Sequence, residues 1–303
     1  MGKKHYLYVF LGLIALYAVL VFTLPSDPRI LEKYHLTQGG VRLLILSIVI
    51  PIIAIWLSAF YGFAKIKEYA QSVKDTSEGK PFESIANGLM VLVFSLPLLA
   101  AASTALTYFA YRDAAFLPTS TIFRNYLTIL SALAAFYLIG KGAEALATPV
   151  KNNVKKFDHQ TWTTGFIIFS SLFTWMVISH QPDWGDHRSG AYYLPDWLVV
   201  LTIVIPYLYI WYRGLLAAYC IYYYQKKVRG TLYKRALSYF SAGIAAVIGL
   251  LIATQLLAVF SERLNRLDLT PLLLIIYVLV GFYALGYGLI AKGVKKLKSL
   301  EDV

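Results

Sequence analysis

The sequence predicts an all-α integral membrane protein, with eight transmembrane helices in two parallel four-helix repeats and both termini cytoplasmic. Three observations carry that expectation: eight long apolar stretches, a self-similarity between the first four and the last four, and an uneven placement of Lys and Arg. Hydrophobic residues make up 58% of the 303. A water-soluble fold has too little interior to hide so much apolar surface, so hydrocarbon must serve as part of the solvent.

A crossing takes roughly 20 apolar residues, because about 30 Å of hydrocarbon is spanned at 1.5 Å per residue. Eight stretches meet this, near Tyr6–Leu24, Val41–Phe63, Leu89–Tyr111, Tyr126–Ala147, Thr163–Ser179, Leu198–Tyr219, Ser241–Phe260 and Leu272–Ala291. Each must be helical, since backbone groups in lipid need partners within their own segment. The first carries Lys3 and Lys4 ahead of it but no small-x-small site after it, so it reads as a span rather than a cleaved signal. The second and sixth run on into Ile66, Tyr69, Val73 and Ile221, Tyr224, Val228, at i, i+3 and i+7 with basic residues between. That spacing predicts amphipathic extensions beyond the membrane. Pro81 suits the first turn of the third helix.

The formal net charge is +12. With the N-terminus inside, 19 of the 28 Lys and Arg fall on the inner side and 8 on the outer, while Arg213 lies within a span. Acidic residues divide evenly, so the imbalance is the positive-inside pattern of a cell-membrane protein. The expected partner of this charge is a bilayer with anionic headgroups on the cytoplasmic side, not nucleic acid. Cys220 is the only cysteine, which excludes an intrachain disulfide.

Ser47-Ile-Val-Ile-Pro51-Ile-Ile-Ala-Ile-Trp56 matches Thr202-Ile-Val-Ile-Pro206-Tyr-Leu-Tyr-Ile-Trp211 at an offset of 155, and Gly88 then falls on Gly243. The paired prolines and tryptophans weigh most, because apolar identities come cheaply in membrane segments. Phe136-Tyr137-x-Ile139-Gly140-x-Gly142 resembles Phe282-Tyr283-x-Leu285-Gly286-x-Gly288 at an offset of 146. The expected division is a first repeat over 1–147, a cytoplasmic linker over 148–162 and a second repeat over 163–303. An even number of helices per unit relates the halves by an axis along the membrane normal, with any site at their seam.

Candidate functional residues follow from chemistry that is costly in lipid. Pro51 and Pro206 each remove an intrahelical hydrogen bond, which makes a kink or hinge, with Ser47 and Thr202 one turn earlier to satisfy the freed carbonyl. Arg213 is an intramembrane charge that needs a partner or a route for its stem to the interface. His180, Asp183, Asp186 and His187 share one loop, with Asp27 a fainter echo in the first half. Imidazole and carboxylate suit a divalent cation, but their spacing matches no established site, and an ordinary hydrated loop is the better reading. Lys141 and Glu144, at i and i+3, are expected to pair with each other.

No phosphate-binding loop, zincin motif or nucleophile elbow occurs, no histidine lies mid-span to ligate a haem, and no cofactor is implied. An enzyme is therefore disfavoured. What remains is a small-solute, permease-like protein with a site at the repeat seam. The alternative is a non-enzymatic scaffold or assembly subunit with a membrane-protein partner.

Overall fold

In a computed structural model, the described residues are 3–24, 37–112, 117–151, 196–227, 230–259 and 268–298, with a few isolated positions between them. Every element among them is helical. They are α1 (Lys3–Thr23), α2 (Gln38–Ser72), α3 (Gly79–Arg112), α4 (Leu117–Lys151), α5 (Asp196–Val199), α6 (Ile205–Lys227), α7 (Thr231–Val259) and α8 (Leu269–Lys298), with a π turn, Val200–Val204, joining α5 to α6. Among the described residues seven helices are long and apolar enough to cross a membrane, so the chain is a multi-pass helical membrane protein. The expected span Thr163–Ser179 lies, apart from isolated positions, outside the described residues.

Several helices run further than hydropathy alone marks. The second span continues to Ser72, and its extension is buried at Ile66 and Tyr69. Thr37 caps its start by accepting the Gly40 amide at 3.1 Å. The turn into α3 is tight. A methyl at Gly79 would sit 2.5 Å from the Val73 carbonyl oxygen, so only glycine fits there.

The helices form a closed circuit in which α2 packs on α3, α3 on α4, α4 on α6, α6 on α7, α7 on α8 and α8 back on α2. Exchanging α2 with α6, α3 with α7 and α4 with α8 maps this set of contacts onto itself. α1 lies outside the circuit, mainly against α3. It is held by Phe10, whose ring stacks on Phe60 at 4.7 Å and meets Phe94 edge-on at 5.6 Å. Lys67 Nζ donates to Tyr6 Oη at 2.9 Å, fastening the lysine-bearing end of α1 to α2. α2, α4, α6 and α8 end, and α3 and α7 begin, at one end of the bundle, where Lys74, Lys80, Lys226, Lys234 and Lys292 gather, called the basic end below.

Close helix pairs are made by glycines, as small residues permit in lipid, where there is no hydrophobic force to drive helices together. A methyl at Gly88 would meet Ala135 O, Ile139 Cγ1 and Ile139 N, all within 2.9 Å. A methyl at Gly243 would meet Gly286 O, Ile290 Cγ1 and Ile290 N, all within 2.8 Å. Likewise Gly142 lies on Pro81 and Ile85, and Gly293 on Ala236 and Phe240. Between α3 and α7 these contacts match at a spacing of 155.

Between α4 and α8 the contacts match at a spacing of 151, not 146. In the 146 register Gly142 would correspond to Gly288, which has nothing within 4 Å of an added methyl. Phe136 would correspond to Phe282, yet Phe136 is 1% exposed and Phe282 is 53%. At 151, Phe136, Ile139, Ala143 and Leu146 fall on Tyr287, Ile290, Val294 and Leu297, all buried to 2% or less. The sequence match in this register is Leu138-Ile-Gly-Lys-Gly142 against Leu289-Ile-Ala-Lys-Gly293. In α8, Phe282 and Gly288 of the 146 match face away from the neighbouring helices.

Candidate functional site

Three features stand out from an otherwise apolar bundle. The first is Arg213. Its Nη1 donates to Glu144 Oε1 at 2.8 Å, tying α6 to α4. The guanidinium is 12% exposed and the carboxylate 42%. Gly140, one turn before Glu144, makes the room: a methyl there would lie 2.8 Å from Arg213 Nε. The Tyr137 ring flanks the cation at 5.9 Å. This corrects the expected Lys141–Glu144 pair. Lys141 is exposed and can stay hydrated, whereas Arg213 is sheltered within a span and depends on a counter-charge.

The second feature lies at the basic end. Glu78, immediately before α3, receives the Tyr233 hydroxyl at 2.6 Å and the Tyr69 hydroxyl at 3.4 Å on Oε2. Tyr224 donates to Oε1. The Tyr69 and Tyr233 oxygens are 3.4 Å apart. Each phenol has one proton, so three donations to the carboxylate use all of them and leave that last approach as a contact. Tyr69 and Tyr224 are buried. Both appear in the sequence only as members of an apolar stripe, and the stripe does bury their rings. Their hydroxyl chemistry is legible only once Glu78 is seen opposite them.

The third feature is a cavity of about 310 Å³ lined by Ile52, Ile55 and Trp56 of α2, Leu96 of α3, Thr254 of α7 and Ile276, Leu279, Val280 and Tyr283 of α8. Helices from the first four and from the last four thus share its wall. Thr254 and Tyr283 are its hydroxyl-bearing residues, and the Thr254 hydroxyl donates to the Leu251 carbonyl at 2.9 Å.

Pro51 stands within α2, one residue from Ile52 in this wall. Pro206 is the second residue of α6, directly after the π turn, so the backbone adjustment expected of a proline is drawn out over the preceding turn. The supporting hydroxyls act otherwise than expected. Ser47 donates to Leu44 O at 2.7 Å and Thr202 to Leu198 O at 2.7 Å, each one turn further back. The carbonyls freed by the prolines belong to Ser47 and Thr202 themselves, which their own hydroxyls do not reach in a helix. Ser47 Oγ instead accepts from Tyr277 Oη of α8 at 2.7 Å.

His180, Asp183, Asp186, His187 and Asp27 lie outside the described residues. Among the described residues no group of three His, Cys, Asp or Glu is placed to hold a metal ion. No family model matches the chain, and neither a curated protein nor a solved structure matches it.

Proposed function

We propose that this chain is a duplicated four-plus-four membrane protein, with its basic end and both termini cytoplasmic, that holds a small apolar or amphiphilic molecule between its halves as a permease-like carrier. The observation that carries this reading is the shared cavity of about 310 Å³, near Pro51 and between the two sets of helices. Carriers built from repeats hold their substrates near the bilayer midplane at the repeat interface. The duplication is supported by the self-mapping helix circuit and by the matched glycine contacts. The wall decides the class of ligand. A strongly hydrated solute would lose its water there and find few replacement partners, at a cost of about 1–3 kcal/mol per unmet group.

Trp56 in the wall gives the test. A brominated alkyl amphiphile titrated into the purified protein is expected to quench fluorescence saturably, to raise the unfolding midpoint and to move across proteoliposomes. Val280→Phe, which fills the cavity, is expected to abolish all three, and Trp56→Phe to remove the saturable quenching alone. Quenching that never saturates and is identical in Val280→Phe would mean simple partition into detergent and would end the proposal.

One observation favours the scaffold reading. The basic half of the bundle is filled by Phe63, Ile66, Phe82, Ile85, Ile221 and Phe240, each 2% exposed or less. Under that reading one membrane-protein partner co-purifies after mild extraction and is lost when Lys226, Lys234 and Arg235 are neutralised. Partner-free, monodisperse protein that still binds the amphiphile decides for the carrier.

A further inference from the structure

We infer that Glu78 and the tyrosines around it form a latch that holds the basic ends of the two halves together. The inference rests on the two-half reading and concerns how the cleft is closed at that end. Tyr69 and Glu78 come from the first half, Tyr224 and Tyr233 from the second. At the offset of 155, Tyr69 corresponds to Tyr224 and Glu78 to Tyr233. The contact of Tyr224 with Glu78 is therefore the counterpart of the approach of Tyr69 to Tyr233. The bond from Tyr233 to Glu78 joins one position to its own counterpart, which places it on the axis relating the halves.

Position on that axis gives the cluster its consequence. A movement of one half against the other that parts the basic ends separates Tyr224 from Glu78 and Tyr69 from Tyr233 together. It also strips the carboxylate of the two donors that come from the second half. The asymmetry matters as much as the symmetry. A second carboxylate at position 233 would repel Glu78, and a second tyrosine at position 78 would remove the charge that makes these hydrogen bonds strong. One glutamate and one tyrosine on the axis form a charge-assisted hydrogen-bonded pair that neither symmetric choice provides. The short turn fixes Glu78 in place, since Thr76 Oγ1 accepts its amide at 3.3 Å and Gly79 leaves no slack after it.

At the opposite end α8 is linked to α2 by the bond from Tyr277 to Ser47. Opening at the basic end can thus proceed without disturbing that contact. Cys220 reports it. It is the only cysteine, is 8% exposed, and precedes Tyr224 by one turn on the same face of α6.

The experiment measures the rate at which a maleimide alkylates Cys220 in the full chain, in membranes permeabilised to both sides, with no ligand present. Cys220→Ala supplies the blank. Tyr224→Phe and Glu78→Gln are expected to raise the rate about tenfold or more, as the loss of a hydrogen bond to a carboxylate would do for an opening equilibrium. Tyr277→Phe, an equal loss of one hydroxyl at the other end, is expected to leave it unchanged. Tyr69→Phe substitutes should Glu78→Gln fail to accumulate. Unchanged protection in both Tyr224→Phe and whichever second variant folds would overturn the latch. So would equal acceleration in Tyr277→Phe, which would mark general loosening. Because no ligand enters the measurement, a failed amphiphile-binding assay leaves this result standing, and a failed latch leaves that assay standing.

Discussion

Glycine-to-alanine substitutions in α4 and α8 distinguish the two registers by which these helices can be equated. An alanine at Gly142 would set its methyl 2.5 Å from Pro81 O and 2.7 Å from Ile85 Cγ1. At Gly293 the methyl would lie 2.7 Å from Ala236 O and 2.8 Å from Phe240 N. Backbone atoms cannot rotate away, so the helix pair must part, and overpacking of this kind costs about 1–3 kcal/mol. Against that, alanine recovers about 1 kcal/mol of helix propensity. With the clash set against backbone, the cost falls in the upper part of its range, and a net loss of about 1–2 kcal/mol is expected at both positions.

Gly288 differs. Nothing lies within 4 Å of a methyl there, so only the propensity gain remains and Gly288→Ala should be neutral or slightly stabilising. Gly249 and Gly281, equally open, serve as references. The assay is the unfolding midpoint of each purified variant in one detergent, read by tryptophan fluorescence on heating and again on titration with a denaturing detergent. The expected order puts Gly142→Ala and Gly293→Ala together below the parent and Gly288→Ala at or above it. If Gly288→Ala proves as damaging as Gly142→Ala while Gly293→Ala is tolerated, the packing register of 151 is wrong and the alignment at 146 is restored.

Glu144→Gln leaves the Arg213 charge sheltered without its counter-ion. The expected loss is about 1–3 kcal/mol, below that of a fully buried pair because the carboxylate is 42% exposed. Adding Arg213→Gln should recover part of it, and strict additivity in the double-mutant cycle would deny the pairing. Gly140→Ala, whose methyl would lie 2.8 Å from Arg213 Nε, should destabilise the parent but cost little once Arg213 is Gln; an equal cost in both backgrounds would show that Gly140 serves another contact. Tyr287→Phe should raise the unfolding midpoint, since the Tyr287 hydroxyl is buried with no hydrogen-bond partner and its counterpart at the 151 register is Phe136. Relief of an unmet polar group is worth about 1 kcal/mol, and a lowered midpoint would reveal a partner for that oxygen. Reporter tags at the two ends of the chain are expected on the same, cytoplasmic, face, and tags found on opposite faces would contradict the proposed topology.

Much of this architecture is legible in order along the chain. Helix in lipid is compulsory, so apolar length alone announces α1 to α4 and α6 to α8, and the stripe of Ile66, Tyr69 and Val73 foretells that α2 outruns its apolar core. Pro51 and Pro206 stand in segments of α2 and α6 that resemble each other in sequence. The site was less legible. Arg213 advertises itself as a charge in an apolar run, but Glu144 sits near a span end beside Lys141, and only packing across α4 and α6 decides between the two cations. Glu78 looks like one more polar residue in a turn. Its importance depends on tyrosines that are far away in sequence and near in space.

By itself the sequence determined that this protein is helical, spans a membrane several times and has segments that resemble one another, because hydropathy and backbone hydrogen bonding act locally in each segment. Tertiary structure alone decided the register of α4 against α8, the partner of Arg213, the gathering of three phenols on Glu78 and the apolar cavity. Each of these depends on how closely two helices approach. In hydrocarbon that distance is set by where glycines let backbones touch, and a glycine's facing direction is not written in its own neighbourhood of the chain.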